Sequence, residues 1–201
     1  MTTHVKLRTI TQLDVEREAA LNPYWKGRWE NYLAVACRIF REIPGVTRVL
    51  EIGPGSLSLV RGCDIMDIWN WGRRPLTFGH DAGAVPWPLP DDAYDVVVAL
   101  QVLEHLGGDN ARFYRRVMAA LPDKEQCVRR QRAAFAEALR VAPRLLLSVP
   151  LDWKTTGMHA GITPDVVKSW APRGAKVTAS VKVGRDQNRR RLVELWQRET
   201  V

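Results

Sequence analysis

Residues 49–67, VLEIGPGSLSLVRGCDIMD, constrain this chain more than any other stretch. Val49, Leu50 and Ile52 form a short apolar run around Glu51, and Gly53-Pro54-Gly55 follow at once. A brief apolar run that stops at a glycine-rich turn reads as a buried strand feeding a ligand-binding loop. Glycine suits such a loop because it accepts positive φ and because a ligand can approach a backbone that has no Cβ. A second acid-bearing apolar run, Cys63-Asp64-Ile65, begins shortly afterwards. In open α/β sheets, nucleotide-type ligands bind beyond the carboxyl ends of the strands, where an acid can hold the ribose hydroxyls.

The spacing predicts an unusual first crossover. Only residues 56–63 separate Gly55 from Asp64, too few for a helix of about 11 residues and a strand. The first helix is therefore expected to be shortened to a turn or lost. A dinucleotide fingerprint is excluded as well. It needs a third glycine opening a helix, where this chain has Ser58, and an acid about 20 residues further on.

The remaining pattern predicts a single α/β domain over 1–201. Thr11 and Asp14 suit a capped helix over 11–20. Trp29, Tyr32, Leu33, Ala36, Ile39, Phe40 and Ile43 share one face of a helix over 23–43, which Pro44-Gly45 ends. Strands are expected over 47–52, near 76–78, over 94–100 and over 144–149. The run VVVAL at 96–100 suits a strand buried on both faces. Residues 106–141 are longer than one crossover helix needs, so an extra amphipathic helix is expected near 107–124, before a second over 125–142. A short helix over 164–170 follows. Residues 176–183 and 191–197 alternate around a turn at 184–188, the pattern of a terminal β-hairpin.

Four motifs in order then carry a resemblance. The Glu-x-Gly-x-Gly of 51–55, the segment LPDDAYDVV at 89–97, VLEHL at 102–106, and HAGITPD at 159–165 resemble the class I S-adenosylmethionine-dependent methyltransferases. The resemblance runs from about residue 49 to the C-terminus. It implies a Rossmann-like, doubly wound, mostly parallel sheet in three α/β/α layers with a C-terminal antiparallel hairpin. Residues 1–46 would form a helical cap, 47–150 the cofactor-binding core, and 151–201 the substrate-side segment. The implied cofactor is S-adenosyl-L-methionine. Gly53, Pro54 and Gly55 would receive its methionine part, and Glu51 would meet its ammonium through water. Asp64, followed by Ile65, would hold the ribose, with Asp67 as the competing choice. Asp81 and Ala82 would border the adenine, and Gln101 and Val102 would lie beside the sulfonium. Tyr24, Trp25, Trp29, Trp69 and Trp71 are candidates for the crevice walls, packing being their alternative use.

The implied activity is methyl transfer to an oxygen or nitrogen of a small-molecule acceptor. Such an enzyme mainly positions its reactants, so a catalytic triad is not needed. His105 is the first candidate acid or base, since free histidine titrates near about 6.5. Its other reading is to shape the turn after strand four with Glu104. His159 and Asp152 come second, and His80 and His4 read as surface residues. Two alternatives stay open: a catalytically silent cofactor-binding subunit, and an RNA or DNA methyltransferase.

Composition narrows the partners. The net charge of +8 is spread over Arg73-Arg74, Arg115-Arg116, Arg129-Arg130 and Arg189 to Arg191, which do not obviously share one face. Nucleic acid is therefore not expected, whereas an acidic acceptor could use Arg73 or Arg74. The extra helix would roof the acceptor cavity or form a homodimer contact. Nothing reaches the roughly 18 apolar residues of a membrane span, and the first residues have no apolar signal core, which points to the cytoplasm. The three cysteines and four histidines show no metal-ligand spacing, so no metal is expected and the thiols read as free.

Overall fold

The computed structural model describes residues 7–70, 75–106, 124–151, 162–184 and 190–199. Its first elements are a two-residue strand β1 (Arg8–Thr9) and helix α1 (Gln12–Leu21). The helix starts where the sequence predicts. The Thr11 hydroxyl accepts the Asp14 N–H, and the Asp14 carboxylate accepts the Thr11 N–H in return.

The single helix expected over 23–43 is instead three pieces. A 3-10 turn (Pro23–Trp25) is followed by a π-helical stretch (Trp29–Leu33) and then helix α2 (Ala34–Glu42). Asn22 caps the first by accepting the Tyr24 N–H, and Gly27 at φ +72° redirects the chain before the second. The wider π turn shifts the helical phase. Trp29 consequently stays half-buried, whereas Tyr32, Leu33, Ala36, Cys37 and Ile39 are buried.

The strands that follow are β2 (Val49–Ile52), β3 (Val60–Arg61), β4 (Asp64–Asp67), β5 (Phe78–Gly79) and β6 (Val96–Leu100). Helix α3 (Lys124–Val141) leads into β7 (Arg144–Pro150), and helix α4 (Pro164–Trp170) precedes β8 (Ala175–Val183) and β9 (Arg191–Arg198). Seven strands form one sheet in the order β5-β4-β2-β6-β7-β9-β8. The first five are parallel, and β9 runs antiparallel to both β7 and β8. The sheet is thus the mostly parallel one, with a C-terminal hairpin, that the motifs imply.

Both sheet faces are covered. Leu50, Ile52, Val97, Leu145 and Leu147 pack with Phe135, Leu139 and Trp170 on one side. Val49, Val96, Val98 and Leu146 pack with Val15, Ile39 and Phe40 on the other. Continuous apolar strands such as β6 follow from this two-sided burial.

The first crossover helix is missing, as the spacing predicts. The chain from Gly55 to Asp64 holds only β3, which pairs antiparallel with β1 through Arg8↔Arg61 and Thr9↔Val60. Ile10, Val15 and Cys37 of the N-terminal segment pack with Leu59, Val60 and Ile65, over the sheet face that the missing helix would cover. All three cysteines are buried, and none of them forms a disulfide. The expected extra helix near 107–124 lies, apart from Lys124, outside the described residues. Among the described residues, no helix is long and apolar enough to cross a membrane.

Candidate functional site

Strands β4 and β5 lie on one side of β2, and β6 and β7 on the other, so the winding direction reverses between β2 and β6. Ligands of open α/β sheets bind at such a switch point. A cavity of about 460 Å³ opens there, walled by the carboxyl ends of β2, β4 and β6 and by the N-terminal segment.

Gly53, Pro54 and Gly55 form its floor. Gly53 has φ +58° and donates its N–H to the Met66 carbonyl at 2.9 Å. A Cβ built on Gly53 would lie 2.9 Å from Val102 Cγ2, so both conformation and space call for glycine. Gly55, at φ +63°, lies under the Trp25 ring. Trp25 is buried and donates its indole N–H to the Ser56 hydroxyl at 2.9 Å, which donates to Glu18 Oε1 at 2.6 Å.

Two acids hold groups of the protein itself. Glu51, expected to meet the cofactor ammonium through water, does not itself line the cavity, and its carboxylate is buried. It accepts the N–H groups of Leu59 at 2.8 Å and Val60 at 3.2 Å, and the Cys63 thiol at 3.6 Å. Losing the crossover helix explains this: the returning loop has backbone donors that only a nearby side chain can satisfy. Asp64 was expected at the ribose, yet it opens β4 opposite Leu50 in the register. Its carboxylate accepts the hydroxyls of Tyr94 at 2.9 Å and Thr77 at 3.2 Å. Ile65 is buried in the core beside it. Asp67 ends the same strand and lines the cavity. The short crossover makes Asp64 the first residue of the strand rather than its last, and three residues of strand span about 10 Å.

Asp81 and Ala82 line the opposite wall. Asp81 is fixed from both sides: Oδ1 accepts the Gly83 N–H at 2.8 Å, and Oδ2 accepts Nη2 of Arg130 from α3 at 2.6 Å. Gln101 and Val102 follow β6 and line the cavity. Gln101 takes φ +57°, rare for a residue with a side chain, and is held there by donating its amide to the Ser148 hydroxyl at 2.6 Å. His105 closes the 3-10 turn Leu103–His105 and faces the cavity half-buried. Its neighbour Glu104 is buried, and burial pushes its carboxyl up to about 8.

His80, expected at the surface, lines the cavity with Nε2 2.8 Å from the Ala84 carbonyl. Trp25 and Tyr32, both buried, and Tyr24 and Trp69, both exposed, line it, whereas Trp29 does not. His159, Asp152, Trp71, Arg73, Arg74 and His4 lie outside the described residues. Among the described residues, no three His, Cys, Asp or Glu side chains could hold a metal.

Solved structures share this arrangement. The chain aligns with the N-methyltransferase NodS of Bradyrhizobium japonicum in complex with S-adenosyl-L-homocysteine at TM-score 0.61 and 15% identity, covering 94% of this chain and 98% of that one. It aligns with the [4+2]-cyclase SpnF at TM-score 0.57 and 12% identity, covering 88% and 83%. A third is the 1,6-didemethyltoxoflavin-N1-methyltransferase of Burkholderia thailandensis, at TM-score 0.53 and 13% identity, covering 96% and 95%. The chain has the class I S-adenosylmethionine-dependent methyltransferase fold. No protein-family model and no curated protein sequence matches it.

Within this methyltransferase fold, four cavity features escaped sequence reasoning. Tyr32 reads as one more apolar helix position, because the π turn that reorients the segment has no sequence signal. Arg130 looks like one of many outer-helix arginines, although Gly83 leaves room for it: a Cβ there would come within 2.8 Å of Arg130 Nε. Asn22 and His80 sit in short connections whose direction depends on tertiary packing.

Proposed function

We propose that the chain is an S-adenosylmethionine-dependent methyltransferase acting on an oxygen or nitrogen of a small-molecule acceptor. One observation carries this reading: the bare backbone of Gly53 and Gly55 and the carboxylate of Asp67 face a single cavity at the switch point of the sheet. The residues fit the cofactor. Gly53 lines the cavity with backbone alone, and Val102 beside it leaves no room for a Cβ. Asp67, at the end of β4, can accept hydrogen bonds from a ribose diol. Asp81 and Ala82, with the exposed Trp69, would border the purine. Two of the similar structures carry S-adenosylhomocysteine, and their names describe N-methyltransferases.

When bound, S-adenosylmethionine supplies a methyl group already activated on a sulfonium. The chain's own part is then alignment and proton management. Well-aligned reactants can gain about 7–11 kcal/mol from positioning alone. Gln101, fixed through Ser148, and Val102, seated against Gly53, hold the floor of the cavity in one geometry. His105, which lines the cavity just after β6, is the first candidate to take a proton from an attacking hydroxyl or amine, with His159 as the second. The buried rings of Trp25 and Tyr32 exclude water from their part of the cavity.

Calorimetry with S-adenosylhomocysteine and NAD tests the cofactor, and methyl transfer across a panel of amines and phenols tests the reaction. Micromolar or tighter binding of the former, with no comparable binding of NAD, is expected. Tight NAD binding without any response to S-adenosylhomocysteine would refute the reading. A second reading is a protein of this fold that binds cofactor without transferring methyl, since SpnF is named a [4+2]-cyclase. Cofactor binding without product on any acceptor would favour it.

A further inference from the structure

Gln101 takes a backbone conformation that its side chain makes costly. Its φ of +57° lies in the left-handed region, which glycine reaches freely and glutamine does not. Among the described residues the other non-glycine with positive φ is Asp92, an exposed turn residue of a type that tolerates that region. Strain of this kind persists where the surroundings impose it, and it gathers at functional sites. Here two hydrogen bonds to one residue of β7 impose it. The Gln101 N–H donates to the Ser148 carbonyl at 2.7 Å, and Nε2 donates to the Ser148 hydroxyl at 2.6 Å. Ser148 is fully buried, so the amide is fixed to an interior point. Locking Nε2 commits the other end of the amide. Among the described residues nothing donates to Oε1. That oxygen is not sealed in the interior, and Gln101, 8% exposed, lines the cavity. Oε1 therefore opens into the cavity as an acceptor without a donor. The next residue, Val102, lies against Gly53, so Gln101 stands beside the glycine floor.

We infer that Gln101 orients the methyl acceptor through Oε1, and that the acceptor carries a hydrogen on its attacking atom: a neutral primary or secondary amine, or a hydroxyl. The inference rests on the methyltransferase reading for the reaction. A nitrogen or oxygen of this kind presents a hydrogen and a lone pair in different directions. When Oε1 accepts the hydrogen, the lone pair points away from the amide, and an amide that cannot turn aims it the same way in every encounter. The bond to the methyl carbon forms from that lone pair. The electron pair of the broken carbon–sulfur bond stays on sulfur, and the extra proton then leaves the methylated atom for His105 or solvent. An amide carbonyl is too weak a base to take that proton, so Gln101 positions the nucleophile and leaves the base to another group. A tertiary amine or a thiolate offers no hydrogen and gains nothing from Oε1.

Sinefungin tests this without knowledge of the acceptor. It matches S-adenosylhomocysteine except for an amine-bearing carbon in place of sulfur, so its amine stands where the transferred methyl group does. Calorimetry compares the two nucleosides on the wild type, Gln101→Met and Gln101→Gly. Glycine accepts a φ of +57° freely, so that variant loses the amide without backbone strain. Both variants should weaken sinefungin at least tenfold and S-adenosylhomocysteine less than twofold. Ser148→Ala, which releases the amide, should weaken sinefungin in the same direction by a smaller factor. On amines and phenols that the wild type methylates, kcat should fall at least tenfold in both Gln101 variants while KM for S-adenosylmethionine holds. The inference is overturned if sinefungin stays within twofold in both variants, or if it weakens no more than S-adenosylhomocysteine. A wild type that binds neither nucleoside would sink the methyltransferase reading itself, and the assignment of Gln101 with it.

Discussion

Trp25 and Ser56, 31 residues apart, are joined by a 2.9 Å hydrogen bond from the indole N–H to the hydroxyl. Ser56 passes the contact to Glu18, so the glycine loop is tied to the N-terminal segment rather than to a helix of its own. Ser56→Ala leaves Trp25 without its acceptor and Glu18 without that donor. We expect a loss of about 1–3 kcal/mol in urea unfolding. The loop that carries Gly55 would also lose its tether, so S-adenosylhomocysteine should bind several-fold more weakly. Reduced stability with unaltered affinity would limit the tether to a packing role.

Asp67→Asn and Asp64→Asn should separate two functions of one strand. Asp67 lines the cavity, and losing ionised acceptor bonds to a ribose costs about 1.5–3 kcal/mol, or roughly ten- to a hundredfold in S-adenosylhomocysteine affinity. Asp64 instead holds Tyr94 and Thr77, so its variant should melt earlier and bind almost normally. The opposite ranking by calorimetry would return the ribose to Asp64.

Gly53→Ala places a methyl 2.9 Å from Val102 Cγ2 on a residue at φ +58°. The left-handed conformation alone costs a residue with Cβ about 1–2 kcal/mol. Stability should fall by at least that amount, and cofactor affinity should fall with it because the loop must shift. A variant with wild-type melting and binding would show that the floor of the cavity tolerates a side chain.

Glu104 makes stability depend on pH in a stated direction. Its carboxyl rises from the ordinary 4.5 to about 8 on folding. Between those values the folded protein keeps a proton that the unfolded chain gives up, so stability falls as pH rises from about 4.5 to about 8. Below that window the contribution is fully present. Glu104→Gln cannot ionise, so its unfolding free energy, measured in urea, should gain on the wild type between pH 5 and pH 8.5 by on the order of a few kcal/mol. A gap between the two proteins that stays constant with pH would show that Glu104 does not titrate in this window.

The sequence pattern reveals the fold wherever local chemistry and tertiary structure agree. The capping box at Thr11, strand β6, helix α4 and the final hairpin are all legible, because periodicity and caps act over a few residues. The loss of the first crossover helix is also legible, since eight residues cannot hold it. Three features are not. The π turn at Trp29–Leu33 departs from helical periodicity without any marker residue. The register of β4 depends on how Glu51 gathers the returning loop, a contact made only in three dimensions. Asp81's partner Arg130 comes from 49 residues away, and nothing distinguishes it from the other arginines of its helix.

The segment that stands in for the crossover helix also sets an order of events. Helix α2 meets β1, and both it and the π turn rest against β9, at residues 191–198. A chain emerging from the ribosome makes the early segment first and its last supports at the end. Until β9 is made, the apolar face with Ile39, Phe40 and Val15 has only part of its cover. Long-range contacts of this kind slow folding and leave apolar surface open meanwhile. Protection of amides in α2 should therefore appear only when β9 has been synthesised, and chains stalled before residue 191 should be captured by chaperones that bind exposed apolar helices.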